Sequence, residues 1–558
     1  RTSINRRITP IMELKSFLLL YWSCFVGLVS ASTDAGRAKG KLPDWLSIHK
    51  DKEKLSHYMS LARQRHAESI QKARDAYFHG GPAESNTFSL DSLQFDEYSI
   101  DSPGSIPDFK DELERRCFVT KRNTPLFTAE ECKDMIDKAE AHFAGGEWTS
   151  LPSGQYDVAG FWIKSIPACH EWFNRMVQER LFPLLAKKFP DFCPDMKDLV
   201  VDNAYLFKYT PETGRRTDIH TDSGCLSFTI ALNGNGEYSG GGTWFEGLQG
   251  GDSSVIEMDV GQCTVRPGGV RHCGQAVTSG TRYIIGGFCM NNNRIEYNRM
   301  LMGLGSEETQ KGNLKKAEEA LEAAIALNPD FDGPYSHLAD LLKKQGNTEK
   351  AQKVLEHCLE HVNPNGSETA YSLGALYMDQ EQYDKAIKCM NVCLELDEAD
   401  ADAMMMLAQI CAAKQDDAGE ESWYQRIVAT PGAKKELMGK AFCNLGVLHS
   451  GSDKEIEYYE KSLQLNPDSF PASYSLACAY ASKEDWDPAV VVFRKAIDVS
   501  KDGTDDQKQA LLNLYRATMG KLQRENPSGA SSREEMMKRF VEIMGEENFQ
   551  KLSAMRQQ

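Results

Sequence analysis

Hydrophobic positions recur with two different periods along this chain. Short apolar and β-branched runs at 204–209, 226–232, 262–265 and 281–285 lie between turns that contain Gly and Pro, which predicts strands. Beyond Gly305 the period becomes 3.6 residues, which predicts helices. The pattern therefore predicts an α+β multidomain protein, in which a barrel or jelly roll is followed by an all-α region.

Helices are also predicted ahead of the strands. Thr128 and Glu131 form a capping box that opens one helix, and residues 171–186 have the 3.6-residue period of a second. Residues 80–110 are rich in Ser, Asp, Gly and Pro and predict a linker or loosely ordered segment. We therefore assign 32–110 to a helical and linker segment and 111–296 to the strand-containing domain.

The helical region contains an internal repeat. The alanines at 317, 351 and 386 mark successive second helices and are 34 and 35 residues apart, which is the tetratricopeptide period. Small residues are needed where the two helices of each hairpin cross closely. We expect about five or six repeats over 305–502, forming a right-handed solenoid with a concave binding face. Capping helices are expected over 503–558.

The first residues resemble a targeting segment. A start at Met12 is followed by Lys15, an apolar run over 17–29 and small residues near Ala31, as in a secretory signal peptide. Residues 1–31 are therefore predicted to be a signal peptide with upstream residues, and an uncleaved membrane anchor is the alternative. The run is short for a membrane span of about 20 residues.

Composition narrows the classes of function. The 558 residues carry a net charge of -17, which argues against a nucleic-acid partner because phosphate binding needs basic patches. The sequence has 15 Cys, and in a secretory compartment some of these would form disulfides. The plausible local pairs are Cys117 with Cys132 and Cys169 with Cys193, although connectivity cannot be read from a sequence.

Three residues have the pattern of a metal site. His220 and Asp222 are two positions apart, so on a strand or at its end both side chains point to the same face. His272 follows a Pro-Gly turn and would arrive from another strand. Two His and one carboxylate can hold non-haem Fe(II) and leave coordination positions open. Alternatively, His220 caps a turn and His272 is a surface residue.

Arg282 follows His272 at ten positions, on the next predicted strand. Its guanidinium could form a bidentate, charge-assisted pair with the far carboxylate of 2-oxoglutarate. The alternative is a pair with a structural carboxylate.

Residues from about 200 to 290 resemble the dioxygenase domain of procollagen prolyl 4-hydroxylases and lysyl hydroxylases. The matching text is His220-Thr221-Asp222, then 228–233 (FTIALN), the triple glycine 240–242, His272-Cys273-Gly274 and 280–283 (GTRY). The Gly-Thr-Arg-Tyr and triple-Gly elements are closer to the lysyl hydroxylases. This resemblance covers every expected metal and co-substrate position.

The resemblance implies a double-stranded β-helix (jelly-roll) domain. It implies iron ligation by His220, Asp222 and His272, and 2-oxoglutarate binding by Arg282. Tyr209 would contact the same co-substrate; the alternative is that Tyr209 belongs to the core of the barrel. It also implies oxidative decarboxylation of 2-oxoglutarate to succinate and CO2, coupled to hydroxylation of a C–H bond, with ascorbate as a reductant. One departure is that the repeats follow the catalytic domain here, which puts a collagen substrate in doubt.

The leading interpretation is a hydroxylase of prolyl or lysyl residues in secretory-pathway proteins, located in the endoplasmic reticulum lumen or secreted. Its partners would be a protein or peptide substrate and a further protein bound by the repeats. Two alternatives stay open: a tetratricopeptide scaffold with a degenerate oxygenase domain, and an oxygenase of small molecules.

Overall fold

The computed structural model describes most of the chain after the predicted signal segment. The described residues are 42–77, 88–100, 115–143, 148, 158–190, 192–211, 217, 219–222, 224–234, 236–250, 254–430, 433–501, 503–527 and 531–555. The predicted signal peptide lies outside them. Among the described helices, none is both long enough and apolar enough to cross a membrane.

The strands of the described residues lie in the first half of the chain and form three sheets. The largest has the order β3-β4-β13-β5-β10-β2-β1-β8, a second has the order β11-β7-β9, and β12 pairs with β6. All pairings among these strands are antiparallel. The bounds are β1 Phe95–Ile100, β2 Arg116–Thr120, β3 Ala159–Trp162, β4 Leu199–Tyr209, β5 Leu226–Ala231, β6 Tyr238–Gly240, β7 Thr243–Phe245, β8 Leu248–Gln249, β9 Val255–Ile256, β10 Cys263–Pro267, β11 His272–Gly274, β12 Val277–Gly280 and β13 Arg282–Asn291.

The described part of this half also contains the helices α1 Lys52–Tyr77, α2 Ala129–His142, α3 Pro167–Met176 and α4 Phe182–Lys188. A π-helical turn, Val177–Leu181, joins α3 to α4. The predicted capping box is confirmed, since the Thr128 hydroxyl accepts from the Glu131 N–H and the Glu131 carboxylate accepts from the Thr128 N–H.

The two faces of the large sheet have different roles. Leu206 of β4 belongs to the main core, together with residues of α2, α3 and α4 such as Phe173. Its neighbours Tyr205, Phe207 and Tyr209 belong to a smaller apolar cluster. Because strand side chains alternate between faces, β4 uses one face for the helix-covered core and the other for the candidate site described below.

The second half of the chain is helical. The hairpin pairs are α5 Tyr297–Gln310 with α6 Leu314–Leu327, α7 Gly333–Lys344 with α8 Thr348–His357, α9 Ser367–Asp379 with α10 Tyr383–Leu396, α11 Ala401–Ala413 with α12 Asp417–Ala429, α13 Lys435–Leu448 with α14 Lys454–Leu465, and α15 Phe470–Ser482 with α16 Trp486–Val499. The chain ends with α17 Asp505–Glu525, α18 Arg533–Met544 and α19 Glu546–Met555. The alanines that mark the repeat, at 317, 351 and 386, are fully buried, as close helix crossing requires.

Helix α1 connects the two halves. On one side Tyr77 accepts a hydrogen bond from the Ala204 N–H of β4 at 3.1 Å. On the other side Arg65 pairs with Glu307 of α5 at 2.6 Å, and Tyr58 donates to Glu319 of α6 at 3.0 Å. Residues Leu46–Gln558 accordingly form one compact unit.

Part of the predicted linker is ordered. Residues 95–100 form β1, which pairs with β2 and, at its end, with β8. The sequence pattern missed this strand because its polar composition resembles a linker, although most of the strand pairs with β2, the next strand along the chain.

The suggested disulfides are absent. Cys117, Cys132, Cys169 and Cys193 are all free and buried. The Cys132 thiol donates to the Ala231 carbonyl at 3.8 Å and the Cys193 thiol to the Asp195 carbonyl at 3.3 Å. These thiols therefore act as small apolar core groups with backbone acceptors.

One turn position recurs through the array with a left-handed backbone. It lies two residues beyond a first helix and is Gly312 or Gly346 in the early hairpins, but Glu381, Gln415 and Glu484 in later ones, with φ of 58°, 59° and 57°. A side chain with this backbone costs about 1–2 kcal/mol, partly offset by the chain entropy that Gly loses on folding. We expect each of the replacements Glu381→Gly, Gln415→Gly and Glu484→Gly to raise the free energy of unfolding by about 0.5–1 kcal/mol.

Denaturant titration of the triple variant measures this effect. Gly346→Ala is the matched control with the opposite sign, because an added Cβ there meets nothing within 4 Å and only the backbone conformation is strained. A triple variant with a lower midpoint than the unmodified protein would refute the argument.

Asp400 gives the array a pH-dependent weakness. Burial, with Asp397 and Asp402 nearby, raises its pKa from the usual 3.8 to about 6, although it accepts an N-cap hydrogen bond from the Ala403 N–H. Because the pKa of Asp400 is raised in the folded state, its protonated side chain stabilises the fold fully below about pH 4. This stabilisation is lost as the pH rises through 6. Asp400→Asn keeps the cap and removes the charge.

We expect Asp400→Asn to raise the free energy of unfolding by about 1–2 kcal/mol at pH 7.5 and to have no effect near pH 4. Unfolding measured at both pH values checks this, and an equal gain at both would show that titration is not the cause.

Candidate metal centre

His220 and His272, two of the predicted ligands, pair through two backbone hydrogen bonds. The His220 N–H donates to the His272 carbonyl at 3.0 Å, and the His272 N–H donates to the His220 carbonyl at 2.9 Å. His272 begins β11, so this bridge places residue 220 beside the three-stranded sheet. The imidazole centroids lie 4.5 Å apart.

Asp222 completes the cluster. Its Oδ1 lies 3.7 Å from His220 Nε2 and 3.6 Å from His272 Nε2. All three ligand atoms lie within 4.8 Å of one another. Because first-row metal–ligand bonds are about 2.1 Å long, ligand atoms at such separations can share one ion after a small adjustment.

The Asp222 carboxylate is buried and only partly satisfied. Its Oδ1 has no hydrogen-bond partner among the described residues, although the residue is 2% exposed. A buried oxygen without a partner is costly unless something coordinates it. The donor set of two imidazoles and one carboxylate therefore fits a divalent first-row metal.

A backbone contact orients His272. Its Nδ1 lies 2.9 Å from the Val270 carbonyl, so we assign the proton to Nδ1 and the lone pair to Nε2. Burial lowers the pKa of His272 to about 3, which keeps that lone pair unprotonated near neutrality. Burial opposes ionisation of Asp222, but attraction to His272, Arg266 and His220 outweighs it and holds its pKa below the usual range.

Arg266 is the site residue that the sequence pattern missed. Its Nη2 donates to Asp222 Oδ2 at 3.1 Å and lies 2.9 Å from His272 Nε2, while Nη1 donates to the hydroxyls of Thr229 and Thr264. The strand predicted over 262–265 ended one residue before Arg266. An Arg inside an apolar, strand-forming run is the signal that could have revealed it, since such residues are rarely buried without a partner.

Arg282 is buried at the start of β13 beside Tyr209; Tyr209 lines the cavity next to the cluster, whereas Arg282 is not among the lining residues. It is 1% exposed, and it donates to the Gly242 carbonyl at 3.0 Å, but its Nε has no partner among the described residues. Nor does Arg282 form an ion pair with any described carboxylate. The alternative of a structural carboxylate partner therefore finds no support in the described part of the chain.

The triple glycine explains how loop backbone reaches Arg282. Residues 240–242 have φ of 72°, 81° and 91°, and a Cβ at Gly241 would lie 3.1 Å from Arg282 Cδ. The run thus supplies a left-handed backbone and close approach, both of which favour Gly.

Tyr209 is the β-sheet partner of Arg282. The Arg282 guanidinium carbon lies 5.4 Å from the Tyr209 ring centroid, within cation–π range. Burial raises the pKa of Tyr209 to about 12, so its hydroxyl is a donor near neutrality. Both roles suggested by the sequence, core packing and co-substrate contact, are compatible with this position.

A cavity of about 40 Å³ adjoins the cluster. Its lining joins the three ligand residues and Arg266 to an apolar wall that contains Phe207, Phe228, Ile284 and Phe288. That volume holds a few water molecules, so a larger ligand requires side chains to move.

The helical half matches a known repeat. Tetratricopeptide repeat models match residues 308–368 and 371–434. The C-terminal half contains tetratricopeptide repeats. The sequence prediction of such an array is thus confirmed, and with it a module of the kind that binds proteins or peptides.

Curated relatives match only parts of the chain. The BBSome complex member BBS4 homolog of Drosophila melanogaster is 25% identical over 201 residues, which are 33% of this chain and 40% of the relative. Procollagen-lysine,2-oxoglutarate 5-dioxygenase 1 of Rattus norvegicus is 27% identical over 172 residues, which are 29% of this chain and 22% of the relative. The chain thus spans two fifths or less of these relatives' lengths.

Among solved structures, the crystal structure of MamA is 27% identical in sequence, covers 29% of this chain and 94% of its own, and has a TM-score of 0.26.

Proposed function

We propose that this protein is an Fe(II)- and 2-oxoglutarate-dependent dioxygenase that hydroxylates prolyl or lysyl residues, with its repeats binding protein. The matches to lysyl hydroxylases cover less than a third of the chain and establish no enzymatic activity by themselves. The observation that carries the proposal is the convergence of His220, Asp222 and His272 around a buried carboxylate oxygen without a partner.

The residues present fit the metal and the co-substrate. His220, Asp222 and His272 would hold Fe(II), which supplies the oxidising chemistry with O2 and 2-oxoglutarate and is kept reduced by ascorbate. Arg282 would orient the far carboxylate of 2-oxoglutarate through charge-assisted hydrogen bonds. The Tyr209 hydroxyl would donate to the same group.

The surrounding chain contributes orientation and exclusion of water. Phe207, Phe228 and Phe288 line the cavity and would limit the access of bulk water to the reacting groups. The contact from His272 Nδ1 to the Val270 carbonyl fixes the imidazole that faces the carboxylate.

The proposal includes the fold type. A small sheet that carries His272, joined at His220 to the segment before β5 of the large sheet, supports the interpretation of this domain as a double-stranded β-helix. The secretory location, in the endoplasmic reticulum lumen or outside the cell, rests on residues 12–31 and their signal-like pattern.

The test is incubation of the full chain with Fe(II), ascorbate, 2-oxoglutarate and peptides from secretory proteins that contain Pro or Lys. We expect succinate release that depends on peptide, together with one added oxygen on a Pro or Lys side chain by mass spectrometry. Stimulation by free amino acids instead of peptides would favour the small-molecule alternative. No succinate release by protein that binds Fe(II) would contradict the proposal.

Arg266 favours a second candidate function, a tetratricopeptide scaffold without catalysis. Its guanidinium already neutralises Asp222 and donates to the Nε2 lone pair of His272 that a metal would need. In the scaffold the pair of Arg266 and Asp222 would be purely structural. Retention of full biological activity by a His220→Ala variant would support this candidate, because a scaffold does not need the ligand.

A further inference from the structure

The repeat array contacts the backbone of the candidate metal ligand Asp222. Arg299, on α5, donates from Nη1 to the Asp222 carbonyl at 2.6 Å. Its Nε pairs with Glu296 at 3.3 Å, and its guanidinium lies over the Phe331 ring, between α6 and α7. The Arg299 side chain is 12% exposed, so this arrangement is packed and water competes little for it.

A second arginine connects the segment of His272 to the second and third hairpins of the array. Arg271 immediately precedes His272, and its side chain is 9% exposed. Nη1 lies 3.5 Å from Asp332, directly before α7, and Nη2 lies 3.4 Å from the Ser367 hydroxyl, the first residue of α9. Asp332 is itself fixed, because Asn363 donates to the same oxygen at 2.6 Å.

The contacts of the two arginines hold the segments that carry Asp222 and His272. Asp222 lies outside the named strands, held by its own N–H to the Gly268 carbonyl at 2.9 Å and by Arg299 at its carbonyl. His272 lies at the first position of a three-residue strand. Neither ligand is in the middle of a long strand, so the hydrogen bonds between strands alone position them weakly. Contacts from residues that are not themselves ligands orient such ligands.

We propose that Arg299 and Arg271 are positioning residues, through which the first hairpins of the repeat array hold the ligand set of His220, Asp222 and His272. The inference rests on the proposed function for the identity of that set, but the positioning itself exists in the metal-free protein. The repeats are then part of the metal site's architecture as well as a binding module.

These contacts couple the metal site to the repeat array. If contacts with the array stabilise the metal-binding conformation of the ligand segments, metal binding must stabilise those contacts by the same free energy, because linkage between two equilibria is reciprocal. Occupation of the metal site is therefore expected to slow backbone exchange in α5 and at the start of α7.

The experiment compares the full chain with its Arg299→Met, Arg299→Lys and Arg271→Met variants, using Co(II) alone as the probe. We expect the dissociation constant for Co(II) to rise about 10- to 100-fold in Arg299→Met, as for loss of outer contacts in other metal sites. Arg299→Lys keeps one donor and should recover part of the affinity. Arg65→Met is the matched control, because it removes an ion pair to α5 through Glu307 without contacting a ligand segment.

Hydrogen exchange in the metal-free protein gives an independent result. Peptides that contain Asp222 should exchange about tenfold faster in Arg299→Met than in the control, while the strands of the large sheet exchange at the unmodified rate. Co(II) affinity within twofold of the unmodified protein, or unchanged exchange at Asp222, would overturn the inference. If the unmodified chain binds no Co(II), the proposed function fails, and exchange at Asp222 still decides whether Arg299 positions that segment.

Discussion

Replacement of Asp222 by Ala is expected to abolish metal binding and to lower the free energy of unfolding of the metal-free protein by about 3–5 kcal/mol. The first effect follows because Asp222 is the carboxylate member of the ligand set. Loss of outer contacts alone costs about 10- to 100-fold in metal affinity, and loss of a ligand costs more. The second follows because Arg266, only 2% exposed, would keep its charge without its carboxylate partner.

A double variant separates these two effects. Asp222→Ala with Arg266→Met removes both charges and should recover most of the lost stability without recovering metal binding. Asp330→Ala removes an exposed carboxylate and is the matched control. Denaturant unfolding and Co(II) titration measure both quantities. A single variant as stable as the unmodified protein would show that the pair of Arg266 and Asp222 is not what the geometry indicates.

Replacement of Arg282 by Met is expected to weaken 2-oxoglutarate binding without lowering the stability of the fold. Its buried guanidinium has no carboxylate partner among the described residues, so its removal should leave the free energy of unfolding unchanged or raise it by up to about 2 kcal/mol. The affinity for 2-oxoglutarate should fall by about 100-fold or more, since a bidentate pair contributes at least about 2.7 kcal/mol.

Calorimetric titration of 2-oxoglutarate into Co(II)-loaded protein measures the second effect. Arg122→Met is the control, because Arg122 is a largely exposed arginine of the same domain. Co(II) affinity should be unchanged in both variants. An Arg282→Met variant that binds 2-oxoglutarate normally would remove Arg282 from the co-substrate site.

Local patterns predicted much of this molecule. The capping box at Thr128 and the strands at 204–209, 226–232 and 281–285 needed only short-range periodicity, which survives tertiary packing. The repeat could be recognised because each hairpin packs against the next in the same way, so a small residue recurs at 317, 351 and 386. The ligand residues could be picked out by their residue types and spacing, although Asp222 lies outside the named strands and strand alternation is therefore not what brings it to His220.

The rest depends on contacts between distant segments. Arg266 and Arg299 look like ordinary charged residues in the sequence, and only the fold brings them 3.1 Å from a carboxylate and 2.6 Å from a carbonyl of the same residue. Strand β1 was missed because its polar residues do not have the apolar alternation that predicts a strand. The cysteine pairs failed because proximity along the chain says nothing about where each thiol is buried.

The central claim is that His220, Asp222 and His272 hold one catalytic iron. Anaerobic calorimetric titration of Fe(II) into the metal-free full chain tests it most directly, with the Asp222→Ala variant as the paired sample. We predict one binding event per chain that disappears in Asp222→Ala and that strengthens the subsequent binding of 2-oxoglutarate. No binding to the unmodified chain, or binding that survives Asp222→Ala unchanged, would contradict the claim.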